Sequence, residues 1–189
     1  MLDRADKAAL LGLARGTLQA RLAGERAPGL DRPGPALLEL KGAFVSLHRE
    51  GELRGCIGQI VADRPLCEIV AHCAVSAAFG DPRFPPVTAE ELPLLELEIS
   101  VLAPLRRIDD VEEIRVGVHG LYLVRGPHRG LLLPQVATEQ GWDRRRFLEH
   151  TCRKAGAAPS AWREAETEIY VFEAEVFSES MLSGSPARS

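Results

Sequence analysis

Residues 42 to 58 read Gly42-Ala43-Phe44-Val45-Ser46-Leu47-His48-Arg49-Glu50-Gly51-Glu52-Leu53-Arg54-Gly55-Cys56-Ile57-Gly58. Ala43, Val45 and Leu47 alternate with Phe44, Ser46 and His48, and Leu53 to Gly58 is again strand-like, so the spacing predicts a β-hairpin turning at Arg49-Glu50-Gly51. A two-residue type I′ turn centred on Glu50-Gly51 would hold Glu50 at positive φ, which glutamate tolerates poorly. A three-residue loop needs only Gly51 left-handed. The expected pairing is therefore His48 with Glu52, Ser46 with Arg54 and Phe44 with Cys56. That register sets Arg54, Cys56 and Gly58 on one face with Phe44, Ser46 and His48, whereas a one-residue slip would move Cys56 beside Val45 and Leu47. A hairpin among strands interrupted by helices, in place of strict βαβ alternation, selects an α+β fold with mainly antiparallel pairing.

The hairpin also carries the most chemically suggestive residue. A cation two positions before a thiol favours the thiolate, which is the nucleophilic and metal-binding form, so Arg54 is expected to lower the pKa of Cys56. Gly55 and the nearby Gly58 remove side-chain cover and would let a ligand approach the sulfur. The alternative is that Cys56 is packing, as free cysteines often are.

Across 189 residues, 46% hydrophobic and 26% charged, the chain has the composition of a globular domain large enough for a substantial core. No apolar run approaches a membrane span, and Met1-Leu2-Asp3-Arg4-Ala5-Asp6 lacks the apolar segment of a secretory signal, so a cytoplasmic protein without membrane attachment is expected. A net charge of −4 places nucleic acid last among partners, with Arg144-Arg145-Arg146 read as a solvated helix face. Cysteines 56, 67, 73 and 152 form no Cys-x-x-Cys pair and histidines 48, 72, 119, 128 and 150 no His-x-x-x-His pair, so no metal site is expected from local motifs. No Walker loop, Gly-x-Gly-x-x-Gly or Gly-x-Ser-x-Gly occurs, and the residues name no cofactor.

Along the chain, Asp3 is expected to cap a helix running to about Gly24, and residues 27–35 to form an extended connector. Asp63 and Pro65 open a second helix on which Leu66, Ile69, Val70, Cys73, Ala74 and Ala77 make the apolar stripe. The proline-clamped loop Asp81-Pro82-Arg83-Phe84-Pro85-Pro86-Val87 either presents Asp81, Arg83 and Phe84 to a ligand, or is a structural turn in which Asp81 caps backbone. Leu95 to Val101 alternates as a strand with Glu96 and Glu98 on its polar side. Short strands are expected at Val116-Gly117-Val118, Leu121 to Arg125 and Gly130 to Leu133. A helix then opens at Pro134, where Gln135 is a candidate polar contact. Asp143 caps a helix carrying Phe147, Leu148, Thr151 and Cys152. One C-terminal strand, Tyr170 to Val176, is expected before a loose tail.

The segments Leu53-Arg54-Gly55-Cys56-Ile57-Gly58, Asp81-Pro82-Arg83-Phe84-Pro85-Pro86-Val87, Leu97-Glu98-Ile99-Ser100-Val101-Leu102, Gly130-Leu131-Leu132-Leu133-Pro134-Gln135-Val136-Ala137 and Phe147-Leu148-Glu149-His150-Thr151-Cys152, with Gly42 to Val45 and Val116 to Leu121, occur in the order that resembles the AMMECR domain family. The resemblance runs from about residue 5 to 178. It implies one AMMECR domain over residues 1–181, with a smaller lobe at about 105–160, and a flexible tail at 182–189. It also implies that Leu53 to Gly58 is the functional centre, and an association with a Memo-type protein and a radical S-adenosylmethionine enzyme in the AmmeMemoRadiSam system. It supplies no agreed reaction.

Two functions follow as expectations. One is a small enzyme or accessory subunit with a cleft around Cys56, in which Cys56 is nucleophile or ligand and Arg54 activates it and binds an anion. His150, with His48 and His119 behind it, moves protons, and Gly55, Gly58, Asp81, Arg83, Phe84 and Gln135 hold a small-molecule substrate. The other is a protein- or ligand-binding module without chemistry, using the Asp81 to Val87 loop.

Overall fold

Asp3 and Asp6 open the first helix by exchanging side-chain contacts with each other's backbone N–H, a reciprocal cap ahead of an apolar stripe. In the computed structural model, which describes residues 2–184, this helix α1 spans Arg4–Ala23 and ends on Gly24, whose φ of 72° suits a residue without Cβ. A short helix α2, Pro35–Leu38, interrupts the connector and buries Leu37. Strands β1 (Ala43–Arg49) and β2 (Glu52–Gln59) form the hairpin, and α3 covers Leu66–Phe79. Strand β3 (Leu95–Leu102) follows, then β4 (Arg106–Ile108), β5 (Gly120–Arg125), β6 (His128–Leu132), α4 (Pro134–Glu139), α5 (Arg144–Lys154), β7 (Glu168–Phe172), β8 (Ala174–Ser178) and α6 (Glu179–Ser183). This is an α+β fold with two four-stranded sheets, ordered β2-β1-β3-β8 and β4-β7-β5-β6.

The chain divides into two compact units, residues 2–101 with 175–184, and residues 102–174. The second is a continuous stretch inserted between two segments of the first. In the first unit, the face of the sheet bearing Ala43, Val45, Leu47, Leu97 and Ile99 packs with the apolar sides of α1 and α3. The second unit gathers Ile114, Leu121, Phe147, Leu148 and Val171 into its own core.

Four local expectations change. The turn at Glu50-Gly51 is the strained two-residue one, with φ of 54° at Glu50 and 84° at Gly51, and Arg49 pairs with Glu52. By itself that would set Cys56 opposite Val45. Arg54, however, is an extra residue in β2, inserted where Leu47 pairs with Gly55 and His48 with Leu53. The bulge restores the phase, so Cys56 lies opposite Ser46 and Gly58 opposite Phe44. Val116 to Val118 is a turn, because Gly117 sits at φ 83° and the N–H groups of Val118 and His119 both return to the Arg115 carbonyl. The expected single C-terminal strand is two, since β7 and β8 belong to different sheets and break at exposed Glu173. Ser178 caps α6, which takes up Leu182 and Ser183 of the expected tail; residues 185–189 lie outside the described residues.

Candidate functional site

Strand β2 is at the edge of its sheet, so alternate backbone groups face away from β1 and need partners from elsewhere. At Cys56 the loop after α3 supplies them. The Asp81 carboxylate accepts the Cys56 N–H at 2.9 Å, and the Arg83 guanidinium donates to the Cys56 carbonyl at 3.3 Å. Arg83 also forks onto Asp81, with Nε–Oδ1 of 2.9 Å and Nη2–Oδ2 of 2.7 Å, while Asp81 accepts the Arg83 N–H. Asp81 is only 2% exposed at its side chain, whereas Arg83 is 52% exposed. The Arg83 fork holds the Asp81 carboxyl well below the usual carboxylate range, helped by the two backbone N–H groups. Asp81 thus caps backbone, and the loop is a rigid brace on β2.

Across the sheet, Ser46 stands between Cys56 on β2 and Glu98 on β3. Its hydroxyl donates to the Cys56 sulfur at 3.3 Å. Phe44, His48, Glu96 and Ser100 occupy the same face by strand alternation, and His48 Nε2 is 4.0 Å from Glu98 Oε1. Of the four cysteines, Cys56 is half-buried and the other three are buried. Burial pushes its thiol above the ordinary pKa; the Ser46 hydroxyl and the charge of Arg83 offset this only in part, and Asp81 and Glu98 push the same way as burial. The resting form at neutral pH is the thiol.

Arg54 does not activate it. The bulge residue is drawn to Glu91, with Nε–Oε1 of 2.6 Å and Nη2–Oε2 of 3.0 Å, and it also donates to the Pro85 carbonyl at 2.9 Å. Its charge is spent on a carboxylate, and it is not among the groups that move the thiol. Phe84 lies between the two arginines, 5.7 Å from the Arg54 guanidinium carbon and 5.4 Å from that of Arg83. Arg54, Cys56, Asp81, Arg83 and Phe84 are thereby brought together.

The glycines have a different role from the one expected. A Cβ on Gly55 would stand 2.3 Å from the Ala77 carbonyl oxygen of α3, and one on Gly58 would stand 2.2 Å from the Phe44 ring. Both admit neighbours of the fold rather than a ligand. Gln135 and His150 belong to the second unit. Gln135 has a buried Oε1 without a hydrogen-bond partner among the described residues, and His150 stacks on Trp142 with centroids 3.8 Å apart. His119 is buried there, where its Nδ1 accepts the Arg115 N–H. Cys152 is fully buried and Cys73 is pushed up to about 11, so neither is reactive. A cleft of about 580 Å³ in the first unit is lined by α1 residues Arg15, Gln19, Leu22 and Ala23 with Ala89, Leu92 and Pro93, and none of the Cys56 cluster lines it. No group of three or more His, Cys, Asp or Glu side chains fit for a metal occurs among the described residues.

A sequence profile of AMMECR1 matches residues 11–177. The chain belongs to the AMMECR1 family. A relative in the family from Methanothermobacter thermautotrophicus is 44% identical over 186 residues, covering 94% of this chain and 96% of its own length. Protein MK0488 of Methanopyrus kandleri is 46% identical over 156 residues, covering 78% and 75%. The crystal structure of uncharacterized protein PH0010 from Pyrococcus horikoshii superposes with a TM-score of 0.85 at 40% identity, covering 90% of both chains. Among the described residues of this AMMECR1-family protein, no helix is long and apolar enough to cross a membrane.

Reading the residues in order set Ser46 on the face of Cys56 but opposite Arg54, and so missed it as the partner of the sulfur; it also missed Glu91 as the partner of Arg54. The signal for Ser46 was the alternation of β1, which needed the bulge to fix its register. Glu91 carried no local signal, because it lies 37 residues from Arg54.

Proposed function

We propose that this protein is a small enzyme, or the accessory subunit of one, whose working surface is the sheet face around Cys56. The observation that supports this most is that the residue is held at three points, with the N–H on Asp81, the carbonyl on Arg83 and the sulfur on Ser46. Such fixing pre-orients a reacting atom, which is worth more to a site than to a core residue. The thiol enters as a neutral group. It donates a hydrogen bond to a ligand, or gives up its proton only when a ligand or partner brings a base. Arg83, half-exposed beside Phe84, is the arginine placed to meet a small molecule. On the strength of the family resemblance alone, the partners are a Memo-type protein and a radical S-adenosylmethionine enzyme in a cytoplasmic assembly.

A second reading, a binding module without chemistry, draws support from the raised thiol and from the pairing of both arginines. Reconstitution with the two proposed partners separates them. Under the first reading Cys56→Ser removes product formation while the complex still assembles. Under the second, Cys56→Ser leaves output intact and Arg83→Ala weakens assembly.

A further inference from the structure

Arg15, Gln19, Leu22 and Ala23 recur at i, i+4, i+7 and i+8 along α1, so they fall on one stripe of the helix. That stripe is one wall of the cleft of about 580 Å³, and the segment ahead of β3 supplies the other with Ala89, Leu92 and Pro93. Clefts of about 300–1,000 Å³ are the usual size for holding small molecules. The two walls are tied together. Arg15 donates from Nη1 to the Leu92 carbonyl at 3.0 Å and from Nη2 to the Leu95 carbonyl at 2.7 Å, and its Nε and Nη2 fork onto the Glu179 carboxylate at 2.6 Å each. Glu179 also accepts the Leu97 N–H at 2.9 Å. These bonds fix both walls, so a ligand has little to put in order.

Every N–H of the Arg15 guanidinium but one, on Nη1, is used by these partners, and that one has no acceptor among the described residues. Gln19, one turn along the stripe, is exposed, and its amide makes no hydrogen bond among the described residues. The stripe is therefore polar at its Arg15 end and apolar at Leu22 and Ala23, about 12 Å away at about 1.5 Å per residue. Glu179 neutralises Arg15, so an anion would compete with a carboxylate already in place, and a cation meets no carboxylate among the residues that line the cleft. We infer that this cleft binds an elongated, uncharged molecule with an apolar body and a carbonyl at one end. The carbonyl accepts from Arg15 and Gln19, and the body lies along Leu22, Leu92 and Pro93. This is a second site, and it stands independently of the reading of Cys56.

Two fluorescent probes test it by titration into the full chain: Prodan, a neutral naphthalene carrying a propionyl carbonyl, and toluidinonaphthalene sulfonate, an anion of similar build. Both brighten and shift to the blue on leaving water. Prodan is expected to saturate a single site per chain, and the sulfonate to bind at least about tenfold more weakly, because its charge would be desolvated beside an ion pair that is already balanced. Gln19→Leu, at an exposed position, should weaken Prodan about fivefold through the loss of one hydrogen bond. Ala89→Trp, at an exposed position on the opposite wall, should occupy the cleft and weaken Prodan by at least about tenfold, with melting temperatures confirming that both variants fold as the wild type does. Prodan binding that Ala89→Trp leaves unchanged would put the probe elsewhere and overturn the site. Equal affinity for the two probes overturns the preference for an uncharged ligand, and titrations that never saturate overturn both.

Discussion

Asp81 joins two segments of the first unit, accepting from the Cys56 N–H and from both the backbone and guanidinium of Arg83 while almost wholly buried. Asp81→Asn keeps the shape and loses the charge-assisted bonds, so a loss of about 2–3 kcal/mol is expected in urea unfolding at pH 7. Because the folded-state pKa is depressed, this stability is present above the unfolded carboxylate value near 3.9 and drains away as pH falls below it. The gap between wild type and Asp81→Asn should therefore narrow from pH 4 to pH 2; a gap constant over that range would show that the carboxylate charge is not what Arg83 and Cys56 hold. Cys56 titrates in the opposite sense to an activated thiol. Its alkylation by iodoacetamide should rise only above the ordinary thiol pKa of about 8.5, and a plateau already reached at pH 7 would contradict the burial seen here.

At the level of elements, the hairpin combines a strained turn with a bulge that corrects its phase. Glu50 at φ 54° occupies a region that costs an L-residue about 1 kcal/mol. Glu50→Asn, giving the Asn-Gly pair that type I′ turns favour, should stabilise the protein by about 0.5–1 kcal/mol and raise the melting temperature by a few degrees. The glycines beside the cysteine test the packing of the same strand. Gly55→Ala drives a methyl into a helix carbonyl that cannot swing aside, whereas Gly58→Ala meets a ring that can rotate. Both should destabilise, by about 1–3 kcal/mol, with Gly55→Ala the worse. Equal and negligible effects in chemical denaturation would restore the idea that these glycines keep an approach open for a ligand.

For the whole molecule, the decisive feature is that residues 102–174 have their own core while interrupting the sheet of the first unit between β3 and β8. Phe147 is fully buried in that inserted core. Phe147→Ala should cost about 3–5 kcal/mol, and hydrogen exchange should lose protection mainly within residues 102–174. Uniform loss over both units would mean that they unfold as one.

Helix caps, apolar stripes and strand alternation are local properties, so α1, α3, β3 and α5 were legible from spacing, as was the α+β class. The face of Cys56 was legible too, although the register argument reached it by a wrong turn; Arg54 as a bulge compensates the Glu50-Gly51 turn, and only paired strands reveal such an insertion. What the cysteine's neighbours do was not legible. A cation two residues away suggests activation, but ionic partners are chosen by where distant segments come to rest, and here Glu91 takes Arg54 while Asp81 takes Arg83. Sequence alone determined the helices α1, α3 and α5, the strand β3 and the face that Cys56 shares with Ser46, because backbone sterics and burial repeat with short periods. The tertiary structure alone decided the charge state of the thiol, the role of the flanking glycines and the bounds of the two units, because desolvation, close approach and sheet membership depend on residues far apart in the chain.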